Sequence, residues 1–104
     1  MAHSLILSTT STKDEAQNIA KVLVERKLVA CVNIVGPIES IYRWKGEVEN
    51  AQEFLMVIKT EAGRFAEVRD AIKGMHSYEV PELIEVSIEN GSADYLKWIS
   101  ESIA

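Results

Sequence analysis

The sequence has few of the residues on which disulfide, metal and nucleic-acid sites depend. Its 104 residues include one cysteine, so Cys31 has no partner for an internal disulfide. The two histidines and this one thiol fall short of the ligands that a zinc site needs. Acidic residues outnumber basic ones by 16 to 11, which gives a net charge of −5, and Lys and Arg are not clustered. We therefore expect no disulfide framework and no binding to nucleic acid or anionic membranes.

Long apolar segments and a secretory leader pattern are also missing. The apolar run at Phe54–Ile58 is far shorter than the ~20 residues that span a bilayer. The first twelve residues lack a basic stretch followed by a long apolar one. Together with the unpaired cysteine, this predicts a cytosolic protein without a membrane segment.

Signatures of catalysis are equally scarce. The sequence contains no G-x-S-x-G elbow and no glycine-rich phosphate loop. A serine or cysteine nucleophile would have only His3 or His76 as its base. Cys31 lies among apolar residues, which is typical of a small buried side chain. We therefore predict that the protein is not an enzyme, and a hydrolase or transferase is the least favoured hypothesis.

The patterns that are present predict a single domain over residues 1–104 with an α+β fold. An apolar fraction of 47% and a charged fraction of 26% are typical of globular proteins. The predicted elements are a strand at Ser4–Ser8, a helix capped by Thr12 with Glu15 in its first turn, strands at Ala30–Trp44 and Val48–Thr60, a helix ending at Gly74, a strand at Ile84–Ile88 solvated on one face, and a helix capped by Ser92. A β-α-β-β-α-β order followed by a third helix indicates a ferredoxin-like antiparallel sheet with its first two helices on one face.

The two central strands predict a hairpin that is too long for one small domain to cover. Ala30–Trp44 extends to about 50 Å at ~3.3 Å per residue, whereas a compact domain of this size is roughly 33 Å across. Gly36-Pro37 predicts a bend or bulge, and Lys45-Gly46 predicts the turn. The overhang carries Tyr and Trp side chains, which are frequent in interface cores. The hairpin therefore predicts an oligomer; the alternative is that it curls over its own sheet and buries Trp44.

The segment Met75–Glu79 holds the densest mixture of chemical groups in the sequence. It lies between the second helix and Pro81, which predicts an irregular link where ligand residues often occur. His76 is its candidate ligand. Carboxylate pairs such as Glu79 with Glu82 could bind a hard cation, although on exposed turns such pairs are usually solubilising.

With these segments identified, the sequence resembles the CutA family of divalent-cation tolerance proteins over nearly its whole length. The resemblance is carried by LVACVNIVGPIESIYRWKGEVE at Leu28–Glu49, LMVIKT at Leu55–Thr60, HSYEVPE at His76–Glu82 and the helix containing Tyr95–Ile99. It implies a ferredoxin-like subunit in a tight homotrimer, similar in architecture to PII-type signalling trimers. It also implies a connection to copper and other divalent cations, without implying a reaction.

The resemblance also implies particular site residues. The copper site proposed for some members combines a cysteine at the end of the first strand with two adjacent histidines at the end of the second helix. Ser8 and Met75 stand at two of these positions here and His76 at the third. His76 and Met75 are therefore the predicted metal ligands, and the thioether favours Cu(I).

Two hypotheses about function follow. The first is a homotrimer that binds a divalent metal or a small anion in a cleft between subunits, bounded by Lys59, Tyr78 and Glu79. The second is a structural or signalling trimer that serves as a platform for unknown protein partners, with only an indirect role for metal. Both place four apolar or aromatic side chains in the trimer interface: Ile41, Tyr42, Trp44 and Trp98.

Overall fold

The computed structural model describes residues 2–104 as one four-stranded antiparallel sheet with three helices. In chain order the elements are β1 (His3–Thr10), α1 (Lys13–Glu25), β2 (Cys31–Trp44), β3 (Glu47–Glu61), α2 (Phe65–Met75), β4 (Ile84–Ile88) and α3 (Ala93–Glu101). The strands lie in the order β2-β3-β1-β4, and each neighbouring pair is antiparallel. This confirms the predicted α+β, ferredoxin-like topology. No helix in the described part of the chain is long and apolar enough to cross a membrane.

One face of the sheet is covered by α1 and α2, and the main core lies between them. Ile6 of β1 and Met56 and Ile58 of β3 are fully buried there. The helices contribute Ile19 and Leu23 from α1, with Val68 and Ile72 of α2 beside them. We call this the covered face. Its side chains alternate along each strand with those of the opposite face, as strand geometry requires.

The predicted helix starts at Thr12 and Ser92 are confirmed, whereas α2 ends one residue after Gly74 and the predicted cap of α3 lacks its side-chain bond. The Thr12 hydroxyl accepts a hydrogen bond from the Glu15 amide at 3.1 Å, as its spacing predicted. Gly74 does not end α2, because it lies inside the helix and the chain turns to extended geometry only at His76. The Ser92 side chain forms no capping hydrogen bond at the start of α3. Both errors come from residue types that favour a cap without being required to form one.

The β2–β3 hairpin has the predicted bulge, turn and overhang. The pairing register shifts between Val35 and Ile38, and Gly36 lies so close to the Phe54 ring that a Cβ atom would collide with it. Lys45 and Gly46 form the turn with positive φ angles of 50° and 84°. The molecule is 44 Å long but only 25 and 22 Å in its other dimensions. Trp44 is not buried. At the tip of the hairpin, Lys45 instead contacts Glu79 in the segment after α2.

The opposite face of the sheet is apolar and mostly uncovered, and we call it the open face. The strand register brings seven apolar side chains together on it: Leu5, Leu7, Val35, Leu55, Val57, Ile84 and Val86. Helix α3 covers only one end, where His3 Nε2 lies 2.9 Å from Ser100 Oγ. The prediction that β4 is solvated on one face is wrong for the isolated chain, because Ile84 and Val86 are exposed as well as the residues between them.

Candidate functional site

The link between α2 and β4 is held in place by the side chain of His76, which is fully buried. Its Nε2 lies 2.7 Å from the Thr9 carbonyl oxygen, and its Nδ1 lies 3.0 Å from the Tyr78 amide nitrogen. A carbonyl only accepts and an amide N–H only donates, so Nε2 carries the proton and Nδ1 accepts. The imidazole therefore joins the link to the end of β1 with both ring nitrogens engaged.

Glu15 in the first turn of α1 fastens the next residue of the link. Its carboxylate accepts hydrogen bonds from the Ser77 amide at 2.8 Å and from the Ser77 hydroxyl at 3.1 Å. One of its oxygens also lies 3.8 Å from Nδ1 of His76. The amide of Glu15 is capped by Thr12 and its carboxylate anchors the link, so the start of α1 and the segment after α2 are connected through Glu15.

Tyr78 connects the link to β3. Its hydroxyl donates a 2.6 Å hydrogen bond to the Glu53 carboxylate. Burial of the phenol raises the pKa of Tyr78, and the hydrogen bond to Glu53 and the charge of Glu53 raise that pKa further. The phenol is therefore a firmly protonated donor, and its ring lies 4.7 Å from the His76 ring.

Glu53 is an unusual residue for a strand of a small protein, because its side chain is carboxylic and it is only 7% exposed. Glu82 lies near Glu53. Partial burial raises the pKa of Glu82, and the negative charge of Glu53 raises it further. Within residues 2–104, no Lys, Arg or His side chain forms an ion pair with Glu53 or Glu82. One buried and one exposed carboxyl group therefore lie near each other, and no cation of residues 2–104 is paired with them.

Glu53, Tyr78 and Glu82 line a cavity of about 650 Å³ between the outer part of the hairpin and the link. Its walls include the hydroxyl of Ser40 and the rings of Tyr42, Trp44 and Tyr78, and its carboxyl groups belong to Glu53, Glu79 and Glu82. The Lys45 ammonium lies next to two of the lining residues, 3.8 Å from Glu79 and 5.5 Å from the Trp44 ring centre. The size of this cavity is within the range of small-molecule sites.

The predicted metal ligands Met75 and His76 are adjacent but are not arranged as a donor set for copper. Both nitrogens of His76 are engaged, and Met75 packs against the core. The Ser8 hydroxyl is buried without a hydrogen-bond partner in the described chain. Between residues 2 and 104, no group of three or more His, Cys, Asp or Glu side chains is placed to hold a metal ion. In this arrangement the residues do not fit a copper ion, and their role as ligands stays a prediction.

The three residues predicted to bound the cleft are not all brought together within one protomer. Tyr78 and Glu79 line the cavity. Lys59 is six residues beyond Glu53 along β3, about 20 Å at the rise of an extended strand. Its ammonium bonds to the Asn33 side chain and lies 5.7 Å from the Tyr95 ring centre, beside α3. A cleft that contains Lys59 as well would need a residue from a second copy.

The predicted interface residues Ile41, Tyr42, Trp44 and Trp98 are all exposed in the protomer. Sequence reasoning missed the rest of this surface, including Val35, Ile84 and Val86 on the open face. It also missed Glu53, for which the signal was a carboxylate directly before the apolar run Phe54–Ile58. Glu82 was considered only as one half of a carboxylate pair with Glu79, which could bind a hard cation or simply aid solubility.

The fold defines the chain as a ferredoxin-like α+β protein with an elongated hairpin. Its sequence over residues 4–102 matches the family of the CutA1 divalent ion tolerance protein. A CutA divalent-cation tolerance protein of Archaeoglobus fulgidus is 48% identical over 101 residues, covering 97% of this chain and 98% of the relative. The corresponding protein of Thermus thermophilus is 43% identical over 98 residues, covering 94% and 95%.

Solved structures agree with this match. The structure of the A. fulgidus protein, described as a periplasmic divalent cation tolerance protein, superposes with a TM-score of 0.95 at 47% identity and covers 98% of this chain and 99% of its own. CutA1 from Oryza sativa gives a TM-score of 0.97 at 35% identity and covers 100% and 95%. The chain therefore belongs to the CutA family of divalent-cation tolerance proteins.

Proposed function

We propose that this protein is a non-catalytic homotrimer that binds a small ligand in the cavity beside the α2–β4 link and contributes to divalent-cation tolerance through that ligand. The observation that carries the assembly is the open face, an apolar surface that one helix covers only at one end. An exposed apolar surface of this kind is typical of a protein interface. Three copies is the number that the family resemblance implies, and a closed ring would cover the face without open-ended growth.

The observation that carries ligand binding is the cavity, whose walls are fixed by the contacts of the link. His76, Glu15 and Tyr78 attach the link to three different elements, so the cavity is formed before a ligand arrives. Preformed sites lose less entropy on binding than flexible ones do. Tyr42 and Trp44 belong both to the cavity and to the predicted interface, so in the trimer the site lies at a boundary between copies.

We place this function in the cytosol, because the single cysteine, Cys31, suits a reducing compartment. Fractionation of cells that make the protein with a C-terminal epitope would test this. Recovery with periplasmic markers would contradict it.

Light scattering during gel filtration at micromolar concentration tests the assembly. A mass three times 11.6 kDa is expected, and a folded protein that elutes as a monomer would refute the trimer. Calorimetry on the same sample with Cu(II), Cu(I) and Zn(II) tests whether the ligand is a metal. Because both His76 nitrogens are engaged, we expect no tight binding that depends on this residue.

The second histidine supplies the matched control for the metal titration. His3 is also buried and hydrogen-bonded, but to α3 on the open face. Tight copper binding that is lost in His76→Ala and kept in His3→Ala would show that a metal is the ligand and would overturn the proposal. A trimer that binds neither a metal nor a small molecule would leave the platform hypothesis.

A further inference from the structure

We propose that the ligand of the cavity is a small organic cation, whose primary or methylated ammonium group lies beside Glu53 and Glu82 and against the rings of Tyr42 and Trp44. This inference rests on the proposed ligand-binding role of the cavity and names the chemical class of its ligand.

The negative charge of two carboxyl groups beside the cavity is not balanced by a cation of the described part of the same protomer. Glu53 is more than nine-tenths buried, and its one hydrogen bond in the described chain comes from the neutral Tyr78 hydroxyl. A buried carboxylate is costly unless a cation or several donors compensate it. Glu82 adds a second carboxyl group, and no basic side chain within residues 2–104 pairs with either. A cation that enters the cavity would supply the missing partner.

The side chains that line the cavity favour an organic cation over a metal ion. A divalent metal needs several oxygen, nitrogen or sulfur donors converging on one point, and no such group is placed in the described chain. The cavity instead combines carboxyl groups with the rings of Tyr42 and Trp44. Aromatic rings attract alkylammonium groups through cation–π interactions while also contacting their carbon atoms. This combination fits an ammonium group attached to a short carbon chain.

The protein already places one ammonium group beside two residues of the cavity wall. Lys45 Nζ lies 5.5 Å from the centre of the Trp44 ring and 3.8 Å from Glu79. Lys45 and Glu79 are both more than 70% exposed, so this contact is weak and easily exchanged. The contacts of Lys45 show that an ammonium group fits between Glu79 and the Trp44 ring, two residues of the cavity wall, where it would compete with a ligand.

Isothermal titration calorimetry at low ionic strength tests the proposal with two probes, butane-1,4-diammonium chloride and tetramethylammonium chloride. Sodium chloride at matched ionic strength and magnesium chloride are the controls for charge alone. We expect saturable binding of at least one ammonium probe and no saturable binding of sodium or magnesium. Equal binding of the ammonium probe and magnesium would overturn the proposal, as would no binding of either ammonium probe.

Variants locate the binding. We expect Glu53→Gln, which keeps an acceptor for Tyr78, to weaken probe binding about tenfold, and Glu82→Gln to weaken it severalfold. Glu101→Gln, an exposed carboxylate paired with Lys97 on α3, is the matched control and should stay within about twofold of wild type. Lys45→Met should strengthen binding about two- to fivefold by removing the competing ammonium. Equal losses in Glu53→Gln and Glu101→Gln would assign the effect to general charge and refute the site.

Light scattering on each titrated sample separates this inference from the proposed function. Trimers that bind neither ammonium probe but bind another small molecule refute the organic cation and leave the proposed function standing. If Glu53→Gln does not fold by circular dichroism, Glu82→Gln and Lys45→Met decide the outcome, because their expected effects on affinity have opposite signs.

Discussion

The two faces of the sheet are built from the same strands, yet they have opposite surroundings. On the covered face, Ile6, Met56 and Ile58 are completely buried beneath α1 and α2. On the open face, apolar side chains from the same strands and from β4 lie under α3 at one end and are otherwise uncovered. Because side chains alternate between faces, the continuous apolar runs Leu5–Leu7 and Phe54–Ile58 make both faces apolar. The helices α1 and α2 bury one of these faces within the chain. The protomer is thus a two-layer protein that lacks a partner for one side of its sheet.

The largest expected effect comes from placing a charge on the open face. Val86→Lys introduces an ammonium at an exposed position, which the isolated protomer tolerates. In a trimer the same group would be buried without a partner, at a cost of several kcal/mol for each copy. We expect a folded monomer by light scattering and circular dichroism. Glu85→Lys, one position along β4 with its side chain directed to the other face, is the control and should remain trimeric; a trimeric Val86→Lys would contradict the role assigned to the open face.

Truncations on adjacent residues of β3 compare the two faces directly. Ile58→Ala removes a fully buried side chain from the covered face and should lower the free energy of unfolding by ~3 kcal/mol, measured by urea denaturation. Val57→Ala, made on the open face in the Val86→Lys monomer, should cost less than ~1 kcal/mol. Equal costs in that background would mean that the open face is packed within the protomer.

We expect a smaller difference in stability between substitutions at the starts of two helices, α1 on the covered face and α3 on the open face. Thr12→Ala removes the hydroxyl that caps α1 on the covered face and should destabilise the protein by ~1 kcal/mol. Ser92→Ala at the start of α3 should cost less than ~0.5 kcal/mol, since its hydroxyl makes no capping bond. Thermal denaturation of both variants measures the difference, and a larger loss from Ser92→Ala would reverse the assignment.

The smallest expected effect on stability comes from the carboxyl group of Glu82, which lies near the cavity and outside the apolar core of the covered face. Burial and Glu53 raise the pKa of Glu82 above its ordinary 4.5, so the folded state favours its protonated form. Its contribution is therefore favourable below pH 4.5 and is lost as the pH rises through the folded pKa. Glu82→Gln should be slightly more stable than wild type at pH 7, and this advantage should disappear near pH 4. Melting temperatures at both values test the sign, and a less stable variant at pH 7 would contradict it.

The sequence predicted the features that depend on neighbouring residues. Thr12 and Glu15 specify their cap within one turn, and the period of two in β2 and β3 specifies which side chains share a face. Helix α2 ends at Met75, one residue after Gly74, and the next residue, His76, contacts the carbonyl of Thr9, which is 67 residues away in the chain. No local pattern carries such a contact.

The candidate site was predicted only in part for the same reason. The segment Met75–Glu79 was recognised as the place where functional groups concentrate, and its last three residues line the cavity. Its partner Glu53 comes from β3, 25 residues before Tyr78, and neither spacing nor periodicity joins the two. Lys59 lies beside α3 in the protomer, so its predicted place in a cleft between subunits depends on a second copy and stays a prediction.

The bulge in β2 affects how newly synthesised chains associate with one another. β2 is fourteen residues long and forms an edge of the sheet, so its unpaired amides and carbonyls offer a template on which other chains could add strands. Pro37 has no amide hydrogen, and the register shift beside it prevents a continuous ladder along that edge. The same feature that bends the hairpin therefore guards the unassembled subunit against fibril growth. A Pro37→Val chain should aggregate faster on refolding than wild type.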